Sequence, residues 1–410
     1  MQQKNISTTN WKRNATFFIA GQFVSMFGSM LVSYAVIWHI TLQEQSGGLI
    51  ALFTCAAMLP MVFVSPFAGV WADRYNRKYL VNISDAAIAI VTLIVAILFM
   101  SGVKSIWILF AAAMVRSVGQ GVQQPAVNAL IPQIVPEKHL LRFNGIQSTA
   151  QSLNTFAAPM AAGALLTFLP IEYIFFIDVV TAIIGIATVF FFVKVSGISN
   201  LQERKSGIKA YYHEIMEGLR FVGSQSWLKT LLVFTAMFGI LISPLAMLTP
   251  LQVVRTFGED VWRLTSIEVA FSVGMMAGGV LISTWGGFKN KVHTMVFAWI
   301  LLGIITALLG MVPNFWVYLG LMVSCGITAP LYHAPSTTVM QTKIPANMMG
   351  RTFSVLTMIN GLAMPLGIVL FGPLSDIVKI ETLLIVTGIL LVVSGFVLVR
   401  RKELMQAGNI

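Results

Sequence analysis

The chain has 410 residues, 57% of them hydrophobic and only 10% charged, with 26 Lys and Arg against 15 Asp and Glu. A soluble fold carries roughly 25% charged residues so that its surface can face water, which excludes an ordinary cytosolic enzyme, a disordered chain and a nucleic-acid-binding domain. The composition is that of an integral membrane protein, and the two cysteines, Cys55 and Cys325, lie inside apolar runs with neither a disulfide framework nor metal-ligand spacing.

A bilayer core about 30 Å thick takes roughly 20 mostly apolar residues in a helix. Such segments fall near 14–40, 48–72, 79–101, 105–130, 141–168 and 171–194, and again near 226–253, 265–286, 292–312, 315–336, 349–374 and 380–400. These predict an all-α membrane protein with twelve transmembrane helices. The first span is too long for a cleaved signal peptide, and no small-residue cleavage site follows it. Between the two sets runs the longest polar stretch, whose middle, 208–222, has Tyr, Ile and Leu on one side and reads as an amphipathic helix on the membrane surface. The expected organisation is a six-helix bundle over 1–194, a cytoplasmic linker over 195–225 and a second six-helix bundle over 226–410.

Charge sets the orientation. With the N-terminus in the cytoplasm, 21 of the 26 Lys and Arg residues fall on the cytoplasmic side; Lys104, Arg255, Arg263 and Lys379 fall outside, and Arg116 lies within a span. That bias places both termini inside. The basic balance is thus a topology signal, and no nucleic-acid partner is expected. All tryptophans but Trp299 sit near span ends, where an interfacial belt is expected.

The halves echo each other. Pro125 and Pro136, around the end of the fourth span, correspond to Pro335 and Pro345 around the end of the tenth, an offset near half the chain. Repeated halves are a transporter signature, with the substrate site between them near the midplane.

Three stretches carry motifs. Between spans 2 and 3 the chain reads Gly69-Val-Trp-Ala-Asp73-Arg74-Tyr-Asn76-Arg77-Lys78. Gly69 is expected to let the end of span 2 pack closely on a neighbour. Asp73, at a helix C-terminus, needs a cationic partner, and Arg77 is suitably placed. Asn76 suits a left-handed turn. Span 4 carries Arg116-Ser-Val-Gly119-Gln120-Gly121, and span 5 carries Asn154-Thr-Phe-Ala-Ala158-Pro159-Met-Ala-Ala162-Gly163, where proline among small residues is expected to bend the helix.

The first stretch resembles the loop motif GxxxDRxGRK of the major facilitator superfamily, with Asn76 where the family has Gly. The second is similar to that family's Arg-and-Gly motif, and the third to a decayed antiporter motif GxxxGPxxGG that keeps Pro159 and Gly163. The runs around 125–145 and 349–367 look most like bacterial macrolide-efflux proteins and related drug or siderophore exporters of the drug:proton antiporter branch. The resemblance covers essentially the whole chain. It implies two pseudo-symmetric six-helix bundles, a monomer in the bacterial cell membrane, and a cavity lined by spans 1, 4, 7 and 10. It also implies that Gly69, Asp73, Arg74, Arg77 and Lys78 gate the conformational change. In the second half the equivalent loop, Gly286 to Lys291, has lost the acid.

Charges at mid-membrane cost about 2.5–3.5 kcal/mol on insertion scales and are functional suspects by default. Four stand out: Asp85, Arg116, Asp178 and Glu268. Arg116 is long enough to reach toward Asp85, either as a structural ion pair or, by the resemblance, as a cavity residue that moves proton equilibria. Asp178, among apolar neighbours, reads as a proton carrier or a hydrogen-bonded structural acid, and Glu268, one turn into span 8, as a proton carrier or an interfacial acid. Gln22, Gln120 and Gln123 are candidate substrate contacts. Met237, Met247, Met275 and Met276 suit either an adaptable apolar pocket or a lipid-facing surface. Zinc, nucleophile and nucleotide-binding patterns are absent, so no enzyme activity, metal or cofactor is expected, and energy should come from an ion gradient. The expected function is proton-coupled export of an amphipathic drug. Alternatives are export of a siderophore or metabolite, and a non-transporting scaffold or lipid handler.

Overall fold

The computed structural model describes residues 11–136, 139–194 and 208–409. Residues 195–207 of the expected linker, Glu137 and Lys138 lie outside the described residues, and so does the side chain of Asp73. Among the described residues there are fourteen helices. Twelve are 19 residues or longer: α1 (Trp11–Glu44), α2 (Gly47–Arg74), α3 (Arg77–Met100), α4 (Ile106–Ile134), α5 (Leu140–Phe168), α6 (Ile171–Phe192), α8 (Ser226–Phe257), α9 (Val261–Trp285), α10 (Lys291–Leu309), α11 (Phe315–Lys343), α12 (Ala346–Leu374) and α13 (Ile380–Val399). The remaining two are short: α7 (Ile208–Ser224) and α14 (Lys402–Ala407). Helices dominate because a backbone inside lipid has no water to bond and must satisfy its own N–H and C=O groups.

Ten of these helices are long and apolar enough to cross a membrane. The other two long ones, α4 and α5, have 29 residues each but interrupt their apolar runs with Arg116, Gln120, Gln123 and Gln124, and with Gln147, Gln151 and Asn154. Their polarity has a local cause, described below: both line cavities.

The chain divides into two compact units. One comprises residues 1–39 and 56–211, the other 40–55 and 212–410. In the first, α3 packs on α4 and α6; in the second, α10 packs on α11 and α13. The same pairing thus recurs seven helices later. The turn before α10 repeats the turn before α3 as well. Asn76 accepts from the Lys78 N–H and caps α3, and Asn290 accepts from the Val292 N–H and caps α10. Arg77 donates through Nε to the Ala72 carbonyl at 2.9 Å, and Lys291 through Nζ to the Gly286 carbonyl at 2.8 Å.

Three expectations change here. Asn76 has φ −66°, an extended residue rather than a left-handed one; asparagine belongs at this position for its capping oxygen. Pro125 and Pro335 lie inside α4 and α11, while Pro136 follows α4 and Pro345 is the N-cap residue of α12. The interior prolines are tolerable because neighbouring groups can take up the freed carbonyls. Trp38 is fully buried instead of interfacial, packed beside Tyr34.

In the second unit, α14 docks by burying Leu404 and Ala407 in a core with Val222, Leu228 and Val292. Asn290 donates to the Met405 carbonyl at 2.7 Å and Lys291 N–H to the Gly408 carbonyl at 3.0 Å. One carboxylate contributes much of what holds residues 40–55 in the same unit, beside the bonds of Gln45 with Arg255 and Glu259. Asp376, in the turn after α12, accepts from the N–H groups of Gly47 and Gly48 at 2.7 and 2.8 Å, the Ser46 hydroxyl at 2.9 Å and Arg255 Nη2 at 3.2 Å. It satisfies the free N–H groups that open α2, where the helix dipole also favours a negative charge. Burial alone pushes this carboxyl up, but the Gly48 and Gly47 N–H groups, Ser46 and Arg255 together hold it below the usual carboxylate range.

Asp376→Ala is expected to lower the unfolding free energy of the purified protein by about 1–3 kcal/mol, the cost of stranding donors that a charged acceptor had satisfied. Because the folded carboxyl sits below its ordinary value, its contribution is complete above the ordinary range and is lost as pH falls through the lowered value. Thermal unfolding of wild type and Asp376→Ala should therefore differ at neutral pH and converge in acid. A difference that persists unchanged in acid would contradict this account.

Candidate functional site

The buried charges of the first unit meet because glycines bring their helices together. Gly185 of α6 and Gly21 of α1 pack backbone to backbone: a Cβ built on Gly185 would lie 2.8 Å from the Gly21 carbonyl. Two turns further along α1, Gly28 packs against Thr181 and Asp178. Between α3 and α4, Gly119 lies against the Ile88 side chain. These approaches set Asp178 (0% exposed) opposite Arg116 (7%) and Thr92 (2%).

Arg116 Nη1 lies 2.6 Å from Asp178 Oδ2 and also donates to the Thr92 hydroxyl. The Thr92 hydroxyl contacts Asp178 Oδ2 at 3.1 Å, the Ser29 hydroxyl donates to Asp178 Oδ1 at 3.3 Å, and Arg116 Nη2 reaches the Ser29 carbonyl at 3.4 Å. The constellation draws on α1, α3, α4 and α6. Asp178 is therefore not a carboxyl among apolar groups alone. The pairing anticipated between Arg116 and Asp85 gives way to this one, because the close α1–α6 contact turns Asp178 inward. A buried ion pair of this kind is costly to form and costlier to break, since removing one partner strands the other charge.

Asp85, 3% exposed, is held by amides instead: Gln22 Nε2 donates to Oδ2 at 3.4 Å, and Gln123 Nε2 to Oδ1. Gln22, Gln120 and Gln123 all line one cavity of about 260 Å³, together with Ser29 and, from α5, Gln147 and Gln151. A second cavity of about 580 Å³ shares its Ile19, Phe23 and Ala150 walls and extends along α1 and α5 to Lys12 and Arg142. Sequence reading missed Ser29, Thr92, Gln147 and Gln151. The two α5 glutamines were findable, since amides four apart in a helix share a face.

The α2–α3 turn is tied within the first unit. Beyond its bond to Ala72, Arg77 donates through Nη1 to the Ala129 carbonyl of α4 at 3.0 Å. Lys78 Nζ donates to the Phe190 and Val193 carbonyls at the end of α6, at 2.7 Å each, where a cation also meets the negative end of the helix dipole. Arg74 is exposed. Gly69 does not serve close packing here: a Cβ at that position would meet open space. Pro159 and Gly163 are buried in α5, which continues through them as one helix, flanked by fully buried Ala158 and Ala162. Asn154 of α5 donates to the Phe23 carbonyl of α1 at 3.1 Å.

In the second unit Glu268 is half-buried on α9 and lines a separate cavity of about 330 Å³. The cavity methionines are Met322 and Met364 here and Met26, Met30 and Met61 in the first unit. The four methionines named from sequence are not among these lining residues: Met237 packs into the second unit's core and Met276 is exposed. Among the described residues no group of three or more His, Cys, Asp or Glu could hold a metal ion.

Membrane-length helices arranged twice over, with a buried ion pair beside an amide-lined cavity, define a multi-pass membrane transporter rather than an enzyme. A family model agrees: the Major Facilitator Superfamily matches residues 18–368, and the chain belongs to that family. It is 26% identical over 386 residues to macrolide efflux protein A of Streptococcus pyogenes, covering 93% of this chain and 94% of that one. It is 23% identical over 399 residues to the multidrug efflux pump Tap of Mycobacterium tuberculosis, covering 90% and 88%. Among solved structures, a bacterial homologue of the iron transporter ferroportin shares the fold with a TM-score of 0.70 at 16% identity, covering 95% of this chain and 99% of that one.

Arg116→Ala should destabilise the protein by about 3–5 kcal/mol, the cost of an uncompensated buried carboxylate. Adding Asp178→Asn should recover a large part of that loss, as coupled partners do in a double-mutant cycle. Thermal unfolding of the two single variants and the double variant checks this, and simple additivity of the two losses would show that the pair is not coupled.

Proposed function

We propose that this transporter exports amphipathic drugs, macrolide-like or more varied, across the bacterial cell membrane by alternating access coupled to proton entry. It works as a monomer with both termini in the cytoplasm. The observation that carries this reading is the arrangement of Asp85. Among the described residues no cation pairs with this carboxylate; Gln22 and Gln123 hold it, and the same glutamines line the neighbouring cavity. The likeness to macrolide and multidrug exporters over nine-tenths of the chain supports drug as the cargo, and the charge asymmetry supports the orientation.

The residues divide the work on this reading. Asp85 takes up and releases the proton. Asp178 is neutralised by Arg116, so the pair fixes α4 against α6 and sets the field that Asp85 feels. Gln22, Gln120 and Gln123 contact cargo with groups that can both donate and accept. Arg77 and Lys78 join the ends of α2, α3, α4 and α6, so that the first unit moves as one body, and Gly69, Asp73 and Arg74 complete the gate motif at the end of α2. Pro159 and Gly163 shape α5. A potential of 100 mV supplies about 2.3 kcal/mol for each charge moved, enough for a concentration ratio of several tens.

Expression in a pump-deficient bacterium should raise resistance to a macrolide such as erythromycin and lower its accumulation, and a protonophore should abolish the difference. In energised vesicles Asp85→Asn should stop uphill transport while leaving downhill exchange of drug measurable. Extrusion that continues unchanged under the protonophore would refute proton coupling. Arg77→Ala should reduce the transport rate several-fold while drug binding at equilibrium stays close to wild type.

A further inference from the structure

The second-unit cavity has a composition unlike that of the first. Its walls come from α8, α9, α10, α11 and α12, and rings supply much of them. Phe238 stacks on Tyr332 with ring centres 4.9 Å apart and an interplanar angle of 16°. Trp299 meets Phe238 at 4.7 Å and Tyr332 at 5.7 Å. The polar handles of these rings are already engaged: the Trp299 indole N–H donates to Ser394 at 2.9 Å, and the Tyr332 hydroxyl bonds Thr235 at 3.2 Å. The wall hydroxyls are engaged too, Thr249 with the Leu245 carbonyl and Thr328 with the Cys325 carbonyl.

Glu268 is the carboxylate of this wall. Among the described residues no hydrogen bond or ion pair reaches its carboxyl, and no Lys or Arg lines the cavity; His333 is the other titratable side chain there besides Tyr332 and Cys325. A carboxylate in an apolar surround needs a counter-charge. A metal ion is poorly suited to supply it, because hard cations take six or more oxygen ligands and the wall offers one carboxylate. An organic cation suits both halves of the wall. Its charge pairs with the carboxylate, its apolar body removes the rings from water, and aromatic faces attract cations directly. The volume of about 330 Å³ lies at the small end of ligand cavities, the size for a compact organic ammonium or the amine-bearing arm of a larger molecule.

We propose that this cavity is an organic-cation site, with Glu268 as the counter-charge and Phe238, Trp299 and Tyr332 as the aromatic wall. The proposal rests on the reading of the chain as an exporter of amphipathic drugs and narrows its cargo to molecules carrying a compact cationic group. It also assigns that group to the second unit, apart from the amide-lined cavity of the first.

The test uses the full-length protein in lipid nanodiscs, with benzyltrimethylammonium as the charged probe and benzyldimethylamine N-oxide, of nearly the same size, as a net-neutral one, followed by calorimetry and by quenching of tryptophan fluorescence. Wild type should bind the cation saturably and in preference to the oxide. Glu268→Gln, which keeps the size of the side chain, should lose at least tenfold in affinity for the cation and little for the oxide. Glu268→Asp should retain part of the preference, and Phe238→Leu should weaken the cation several-fold. Thermal unfolding of each variant separates a lost site from a lost fold. Equal affinity of wild type and Glu268→Gln for the cation, or no saturable binding to wild type, overturns the site. Vesicle transport of erythromycin run beside it separates the two readings. Proton-driven transport together with Glu268-independent cation binding sinks the site and leaves the exporter. Glu268-dependent binding with no drug transport sinks the exporter and leaves the site.

Discussion

The ion pair between Arg116 and Asp178 is the interaction around which the first unit is organised. Separated from water by packed helices, neither charge is tolerable without the other, and each also needs its remaining donors and acceptors met. Thr92 and Ser29 meet them, so the pair recruits α1 and α3 as well as its own two helices. The glycine contacts that admit this geometry exist for the same reason: a side chain at Gly21, Gly28, Gly119 or Gly185 would hold the helices too far apart for bonds of this length. Much of what makes α4 and α5 polar enough to stand apart from the ten apolar spans is the consequence of surrounding this core with water-accessible amides.

The second unit repeats the framework and changes its chemistry. Its α10 packs on α11 and α13 as α3 packs on α4 and α6, and its α9–α10 turn reproduces both the asparagine cap and the long cationic side chain folded back onto the preceding helix. Among the described residues it has, where the first unit places its buried ion pair, the Phe238, Trp299 and Tyr332 cluster and the Glu268 carboxyl, which no ion pair reaches. Duplication of a fold conserves backbone solutions, such as caps and close helix contacts, while the side chains that meet in the interior diverge. The two units therefore offer two different solvents to whatever enters them, one hydrogen-bonding and one aromatic.

How much of this is legible in the sequence depends on the kind of evidence each feature requires. Apolar length alone gives the helices of α3, α6 and α13, because the bilayer leaves no other choice for such runs. The buried charges are equally visible, since Asp85, Arg116, Asp178 and Glu268 interrupt otherwise apolar spans. Their partners are not. Which acid Arg116 meets depends on the rotation of α6 about its own axis, set by Gly185 and Gly21 across a contact that no local pattern announces. Gln22 and Gln123 were placed near the cavity by polarity, yet their attachment to Asp85 needed the helix register. Gly69 and Trp38 show the opposite error, in which a residue type with a common use sits at a place where that use does not apply.

The docking of α14 bears on how the second unit is made. Leu404 and Ala407 close a core whose other members come from α7, α8 and α10 to α13, and Lys343 at the end of α11 donates to the Asn409 carbonyl. During synthesis that core stays open until residues 402–409 have left the ribosome. Until then Leu228 and Val292 lack part of their cover, and the N–H of Lys291 lacks its acceptor. The segment 402–409 thus closes a core assembled from helices far earlier in the chain, and without it the second unit would present an uncovered apolar surface.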